Sequence, residues 1–191
     1  MLEQFVKNEY EELKASYNPE ARIKRVELSF ANEKFFNDFK KTIDIDRRGE
    51  VGFLLRRKNS KFVVVRSKKY PKNVYRIPTG GIDFSESVID ALYREVKEEL
   101  GVEFDITTFK GIIEYEIKFK EEIIKFYSYL FEISEVSGKL IEDATQNEIS
   151  DYKEIDMNEL NDMADNLTNV DGAWKDWCGF RSEIIQFYLN K

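Results

Sequence analysis

The sequence predicts a mixed α/β domain that contains a sandwiched sheet, with further helices at both ends of the chain. The first observation is that runs rich in β-branched and aromatic residues flank one internal helix. The second is the helical spacing of apolar residues near both ends. The third is composition, because 191 residues with 42% hydrophobic and 35% charged side chains are typical of one folded domain.

The first 45 residues are predicted to form an extension that packs on the same domain as residues 46–191. Apolar residues recur at helical spacing twice within this extension and alternate as in a strand between the two helices. The first helix contains Val6, Tyr10 and Leu13, the strand Val26, Leu28 and Phe30, and the second helix Phe35, Phe36, Phe39 and Ile43. We expect these side chains to serve core packing or subunit contacts.

From Glu50 onwards the pattern is that of strands separated by polar turns. Strands are predicted over residues 51–55, 62–65, 74–77, 106–119, 123–133 and 152–155. An internal helix is expected from about Glu86 to Leu100, and a short one from Met157 to Met163. A C-terminal helix is predicted by the three- and four-residue steps between Trp174, Trp177, Arg181, Ile184 and Tyr188.

Composition excludes several classes of chemistry. The chain has no histidine and a single cysteine, Cys178, so an internal disulfide, a histidine-based triad and a cysteine-rich zinc site are excluded. No apolar run approaches the length of a membrane span, and the N-terminus lacks the pattern of a secretory signal. We therefore expect no membrane association and a cytoplasmic location.

Charge is distributed unevenly along the chain. The net charge is −7, yet the segment from Arg47 to Arg76 holds eleven lysines and arginines and one acid, Glu50. A basic stretch placed directly before an acidic helix suggests an anionic ligand held between basic side chains and a carboxylate-bound cation. The alternative is that these strands and turns carry solvated charges.

The segment from Pro78 to Val102 carries the strongest pattern. Gly80 and Gly81 are predicted to form a tight turn, and Asp83 with Glu86 resembles a capping box at the start of a helix. Gly101 is a natural C-terminal stop. The face of the helix that packs on the sheet is an apolar row at four-residue steps, Val88, Leu92, Val96 and Leu100.

Three glutamates lie on this helix away from the apolar row. Glu95, Glu98 and Glu99 are three and four residues apart, so they repel one another and oppose the helix dipole unless a cation is bound. Oxygen ligands suit Mg²⁺ or Mn²⁺. Arg94 is placed to orient one carboxylate by an ion pair. The alternative is a solvated acidic helix, which is common in proteins.

The spacing of these residues resembles the Nudix box, Gly-x5-Glu-x7-Arg-Glu-U-x-Glu-Glu-x-Gly-U, where U is aliphatic. Residues 80–102 fit it at every defined position, including Gly80, Glu86, Arg94 and Gly101. The resemblance implies an α/β/α sandwich with a mixed sheet. It also implies that the three glutamates bind Mg²⁺ or Mn²⁺ and that water cleaves a pyrophosphate bond.

The resemblance leaves the group that activates water open. Some family members use the glutamate that matches Glu95, and others use a carboxylate from a later loop, for which Glu148 is the best candidate here. The alternative for Glu148 is an ordinary surface position. Arg66 and Arg76, near the ends of strands that lead into the box, are candidate phosphate or base contacts, or surface charges.

Substrate identity is not predicted beyond a small-molecule diphosphate, such as a nucleotide, a nucleotide sugar or a dinucleotide. Two alternatives differ from this hydrolase: a non-catalytic nucleotide-sensing protein of the same fold, and a pyrophosphohydrolase of RNA 5′ ends. Nucleic acid is the less favoured partner. The aromatic residues between Trp174 and Arg181 are expected to serve the core or a homodimer contact rather than to stack on a base.

Overall fold

A seven-stranded mixed sheet forms the centre of the protein, and the computed structural model describes residues 3–140 and 149–190. The strands within those ranges are Arg22–Ser29 (β1), Gly49–Arg56 (β2), Phe62–Ser67 (β3), Thr79–Ile82 (β4), Val102–Phe119 (β5), Glu122–Gly138 (β6) and Ile149–Ile155 (β7). Their order is β1-β5-β6-β2-β3-β7, and β4 pairs with β2 beside this path. Strand β1 is parallel to β5 and β2 is parallel to β6, whereas the other pairs are antiparallel.

Helices cover both faces of the sheet. Those of the described ranges are Gln4–Tyr17 (α1), Glu33–Ile45 (α2), Val88–Glu99 (α3), Met157–Thr168 (α4) and Lys175–Tyr188 (α5). Helices α1 and α3 share one apolar cluster, to which Val6 and Val96 belong. Helices α2, α4 and α5 share the other cluster, which includes Phe36, Leu160 and Ile184. The predicted mixed α/β architecture with helical layers is confirmed.

The first 45 residues contain the expected helix, strand and helix, and the strand joins the main sheet. Strand β1 pairs with β5 over its whole length, from Arg22 opposite Gly111 to Ser29 opposite Lys118. In α1, the buried Tyr10 hydroxyl donates a hydrogen bond to the carbonyl of Ala21 at 2.6 Å. The boundary at residue 46 between extension and main domain stays a prediction.

Strands β5 and β6 form a long hairpin, as the alternating apolar pattern predicts. Both extend further than expected and pair from Val102 opposite Gly138 to Phe119 opposite Glu122. Lys120, in the two-residue loop, has φ of 52°, which lies in the left-handed region. Helix α4 likewise runs to Thr168 rather than ending at Met163.

Two local predictions around the prolines are wrong. Residues 74–77 form no strand, only a single bridge between Arg76 and Val65. Pro78 interrupts the ladder because it has no N–H to donate. The pair Gly80–Gly81, predicted as a tight turn, lies instead in the middle of β4, where Gly80 is opposite Val51 and Gly81 is opposite Glu50.

Helix α5 closes the second core. Phe180, Ile184 and Phe187 are buried, and the buried Tyr188 hydroxyl lies within hydrogen-bond distance of the Gly52 carbonyl. Within the described ranges, none of the helices combines the length and the apolar character that a membrane crossing requires.

Candidate active site

Helix α3 carries the three glutamates and starts two residues later than predicted. Its N-cap is Ser87, whose hydroxyl accepts a hydrogen bond from the Asp90 N–H at 3.1 Å. The predicted capping box is wrong as a helix cap, because Asp83 and Glu86 precede the cap residue. The Glu86 carboxylate does accept from the Asp83 N–H at 3.3 Å, which holds the loop in front of the helix.

Gly101 ends the helix as predicted. Its φ is +70°, a left-handed conformation that favours glycine. Its N–H donates to the carbonyls of Val96 and Lys97, each at 3.1 Å, so the last turn of the helix is closed.

Arg94 joins the loop before α3 to the carboxylates on the helix. It forms a forked ion pair with the two oxygens of Glu86, each at 2.8 Å, and donates to the carbonyl of Gly81 at 2.8 Å. Its Nη1 donates to Glu95 at 2.7 Å and lies 3.4 Å from Glu98. The hydrogen bond from Arg94 lowers the pKa of Glu86. Arg94 therefore orients several carboxylates, where one was expected.

Glu95 lies directly against Gly80 of β4. A Cβ at position 80 would lie 1.9 Å from Glu95 Cδ and 2.3 Å from its Oε2. The side chain of Glu95 is 13% exposed, and burial raises its pKa, although the ion pair with Arg94 opposes that rise. The missing side chain of Gly80 is thus what makes room for this carboxylate.

Glu98 and Glu99 point in different directions. The Glu98 side chain is 58% exposed and shares the Arg94 guanidinium with Glu95. The Glu99 side chain is 12% exposed and lies 3.4 Å from Arg76. Across residues 3–140 and 149–190, no set of three or more acidic or cysteine side chains is arranged tightly enough to hold a metal ion.

Arg76 is buried behind this group, with a side chain that is 4% exposed. Its guanidinium donates to the Tyr70 hydroxyl at 3.2 Å, to the Ile77 carbonyl at 3.0 Å and to the Thr79 hydroxyl at 3.2 Å. These bonds and the contact with Glu99 suit a residue that positions the carboxylate. The predicted contact of Arg76 with substrate stays a prediction.

Arg66 lies on β3 and directly follows Val65, the residue that forms the bridge with Arg76. It approaches Asp151 of β7 at 3.5 Å, and the Tyr75 hydroxyl donates to the same carboxylate at 2.6 Å. The hydrogen bond from Tyr75 lowers the pKa of Asp151. Glu148, the late candidate for the general base, lies outside the described residues.

The arginines of the basic segment are paired with carboxylates, most of which come from other parts of the chain. Each of its six arginines has an acidic partner within 4 Å, so these guanidinium groups do not form an unscreened anion-binding surface. The pairs are Arg47 with Asp46, Arg48 with Glu9, Arg56 with Glu132, Arg57 with Glu135 and Glu154, Arg66 with Asp151, and Arg76 with Glu99.

Comparison with known proteins decides the family. Residues 46–178 match the NUDIX domain. The chain belongs to the Nudix family. An RNA pyrophosphohydrolase of Ruthia magnifica is 41% identical over 58 residues, which are 30% of this chain and 31% of that protein. An RNA pyrophosphohydrolase of Pelagibacter ubique is 26% identical over 137 residues, which are 63% of this chain and 84% of that protein. The first of these alignments thus spans under a third of its relative.

A solved Nudix hydrolase from Nitrosomonas europaea shares the fold. It superposes with a TM-score of 0.51 at 18% identity, over 74% of this chain and 87% of that one. At that identity the likeness concerns the fold alone. Together with the domain match, it confirms the Nudix-type sandwich that the box implies.

A buried ion pair beside this Nudix box is not indicated by any pattern in the sequence. Glu50, opposite Gly81 in the sheet, is 1% exposed and accepts from Arg181 Nη1 at 2.9 and 2.8 Å and from the Ser128 hydroxyl at 2.7 Å. The only signal in the sequence was that Glu50 is the single acid of the basic segment. Its partner lies 131 residues further along the chain, a distance that local patterns do not bridge.

A second missed group ties α1 to the Nudix box. Arg48 pairs with Glu9 of α1 at 2.8 Å and donates to the Glu86 carbonyl at 2.8 Å. The Tyr129 hydroxyl also donates to Glu9, at 2.5 Å. The extension therefore supports the loop that leads into α3.

Proposed function

We propose that the protein is a divalent-metal-dependent hydrolase that cleaves the pyrophosphate bond of a small nucleoside diphosphate-linked substrate. The observation that carries the proposal is the complete box of residues 80–102, in which Arg94 of α3 joins Glu86, Glu95 and Glu98. Membership of the Nudix family supports the reaction class. Names of the aligned relatives, which are RNA pyrophosphohydrolases, support cleavage of a phosphoanhydride.

Glu95, Glu98 and Glu99 are the residues we assign to metal binding. All three offer carboxylate oxygens, the ligands that Mg²⁺ and Mn²⁺ prefer. The space left by Gly80 admits the carboxylate of Glu95, which a Cβ would displace. As carboxylate oxygens these donors suit a hard divalent cation, but no such set of three is preformed among the described residues, so the side chains of Glu98 and Glu99 would have to turn toward Glu95 to contact one ion. When bound, such a cation supplies positive charge that offsets the charge of the phosphate oxygens.

Side chains of the protein orient the carboxylates and accept the proton of the attacking water. Arg94 holds Glu95 in one orientation through a 2.7 Å ion pair, which reduces the reorganisation needed during reaction. The buried Arg76 holds Glu99 through an ion pair at 3.4 Å. Water forms a new bond to phosphorus while the bridging P–O bond of the anhydride breaks, either Glu95 or Glu148 accepts the proton of that water, and both products carry a phosphate.

A screen with nucleotides, nucleotide sugars and dinucleotides, each with Mg²⁺ or Mn²⁺, tests the proposal, with pyrophosphatase converting released pyrophosphate and alkaline phosphatase converting monophosphate products of the sugars and dinucleotides to the inorganic phosphate that is measured. We expect Glu98→Gln to lower kcat/KM by roughly a hundredfold or more, since one charged ligand is lost. Glu121→Gln, at the exposed turn between β5 and β6, is the matched control and should keep the wild-type rate. Turnover that is independent of metal and insensitive to Glu98→Gln would contradict the proposal.

A non-catalytic sensor would bind nucleotide and show no turnover under any of these conditions. Metal-dependent turnover lost in Glu98→Gln therefore excludes it.

An RNA 5′-end pyrophosphohydrolase is the second candidate, favoured by the names of the relatives. The paired state of all six arginines in the basic segment favours a small substrate instead, because an extended nucleic-acid groove needs unneutralised cations. A short 5′-triphosphorylated RNA discriminates the two. Cleavage of that RNA at a higher kcat/KM than any mononucleotide would establish the RNA enzyme.

A cytoplasmic location and a homodimer stay predictions.

A further inference from the structure

Strand β1 forms one outer edge of the sheet. It pairs with β5 on one side, and no other strand of residues 3–140 and 149–190 pairs with it. It belongs to the extension and lies outside residues 46–178, which match the Nudix domain. The extension therefore gives the sheet an edge whose backbone groups can pair with a further strand.

The backbone groups at this edge belong to alternate residues of β1. The Phe30 N–H, just after the strand, donates to the carbonyl of Lys118 on β5 at 2.8 Å. Along a strand the N–H and C=O of one residue point to the same side, and the side alternates, so the even-numbered residues of β1 also face β5. The N–H and C=O groups that point away from the sheet are those of Ile23, Arg25, Glu27 and Ser29.

The side chains of these outward-paired residues share the exposed face of the strand. All four are exposed, whereas Val26 between them is buried in the core that α2, α4 and α5 cover. A strand added at this edge would therefore meet exposed side chains on one face and extend the covered layer on the other.

The charges of β1 are complementary to those of a second β1. Charged side chains on an edge strand usually oppose pairing with another chain. Here a second copy that runs antiparallel about a two-fold axis through Val26 places Arg25 of each copy opposite Glu27 of the other. In the same register Ile23 lies opposite Ser29, so every directly hydrogen-bonded pair joins two outward-pointing residues. Moving the axis to Arg25 or to Glu27 would place that residue opposite itself.

Ion pairs within each copy continue this arrangement across the sheet. Arg25 donates to the buried Glu114 of β5 at 2.7 Å, and Lys118 of β5 donates to Glu27. In the paired state the four side chains alternate in sign, from Glu114 and Arg25 of one copy to Glu27 and Lys118 of the other. Neither Arg25 nor Glu27 has to give up its partner within the chain.

We propose that β1 pairs antiparallel with β1 of a second copy about Val26, so that two sheets join into one and the protein forms a homodimer. One strand pair buries little area compared with a permanent dimer, so the dimer is weak and reversible. Strands β5 and β6 separate β1 from β2 and β4, which leaves the box outside the contact. The inference does not depend on the proposed function.

Sedimentation velocity at increasing protein concentration tests the dimer. We expect the wild type to change from monomer to dimer within roughly 1 to 500 µM. Two double variants reverse the contact between copies while each keeps its ion pair within the chain. They are Glu27→Arg with Lys118→Glu, and Arg25→Glu with Glu114→Arg.

Each double variant replaces two attractive cross-strand pairs by two repulsive ones, so its dissociation constant should rise roughly tenfold or more. A mixture of the two variants places opposite charges at both contacts again and should form a heterodimer with about the wild-type affinity. Lys40→Glu with Glu122→Arg, which reverses an exposed ion pair between α2 and β6, is the matched control and should dimerise as the wild type does.

Melting curves check that the variants are folded. Glu114 is buried, so if the variant that contains Glu114→Arg does not fold, the variant with Glu27→Arg and its control decide the question alone. Three results would overturn the inference: a wild type that stays monomeric up to the highest concentration, a Glu27→Arg variant that dimerises as well as its control, or two folded variants that remain monomeric when mixed.

Discussion

Replacing Gly80 by alanine should move the carboxylate of Glu95 while leaving the protein folded, so it tests whether the position of Glu95 matters for activity. A Cβ at this site would lie 1.9 Å from Cδ, 2.0 Å from Cγ and 2.3 Å from Oε2 of Glu95, and all three atoms belong to the far end of a flexible side chain. Van der Waals contact between carbon atoms needs about 3.5 to 4.0 Å. The carboxylate must therefore move by about 1.5 Å or more.

The cost to stability is small because two effects oppose each other. Gly80 has no left-handed backbone conformation, so alanine fits the strand and recovers about 0.5 to 1 kcal/mol of backbone entropy. Displacing Glu95 removes its 2.7 Å bond to Arg94, worth about 1.5 to 3 kcal/mol for a charged pair before solvent screening. After solvent screening we expect a net loss of about 0 to 2 kcal/mol, and for a chain of this size a fall in Tm of about 8 °C or less.

The cost to activity is large if the proposed function is correct. A misplacement of about 1 Å in a catalytic group can lower the rate about a hundredfold, and Glu95 moves further than that. We therefore expect kcat/KM to fall about a hundredfold or more while the protein remains folded.

The assay compares kcat/KM and thermal melting of Gly80→Ala with those of Gly179→Ala. A Cβ at Gly179 would meet nothing within 4 Å, so this control should keep full activity. Wild-type kcat/KM in a folded Gly80→Ala protein would refute the reasoning, because turnover would then not depend on the position of Glu95 against Gly80.

Three further predictions concern single contacts. Arg94→Lys should lower the free energy of unfolding by about 1 to 3 kcal/mol and reduce turnover, since one ammonium cannot replace the forked pair with Glu86. Equal stability in urea denaturation would contradict this. Glu135→Gln should destabilise the protein at neutral pH, because the hydrogen bond from Arg57 lowers the pKa of Glu135. Because the pKa of Glu135 is lower in the folded than in the unfolded protein, its ionised carboxylate stabilises the fold at pH values above the unfolded pKa of about 4.3. This stabilisation is lost as the pH falls through the folded pKa, so the stabilities of variant and wild type should converge in acid. The Cys178 thiol should react with a thiol reagent only after unfolding, since burial raises its pKa to about 11, and rapid labelling of native protein would oppose this.

Local periodicity predicted the elements whose side chains face one neighbour. The row of Val88, Leu92 and Val96 predicted the buried face of α3, and all three side chains are buried. The alternation along residues 106–133 predicted the β5–β6 hairpin. The buried face of α3 and the hairpin both depend on residues a few positions apart, so local sequence patterns are sufficient to predict them.

Contacts between distant segments were not predictable in the same way. Local patterns do not indicate that β1 adds to the sheet beside β5, or that Arg181 neutralises Glu50 across 131 residues. The basic segment suggested an anion-binding surface, yet the carboxylates that pair with Arg48 and Arg57 come from α1, β6 and β7. The distribution of charge along the sequence therefore does not predict which charges remain unpaired on the folded protein.

The pair Gly80–Gly81 illustrates the difference between what the sequence determines and what only the tertiary structure determines. By itself the sequence determined the family, through the box from Gly80 to Val102, and the helix that carries the glutamates. Only the tertiary structure decided that Gly80 and Gly81 form a strand rather than a turn. The physical reason is that their conformation depends on what fills the space above and below them, namely Glu95 on one face and Arg47 on the other.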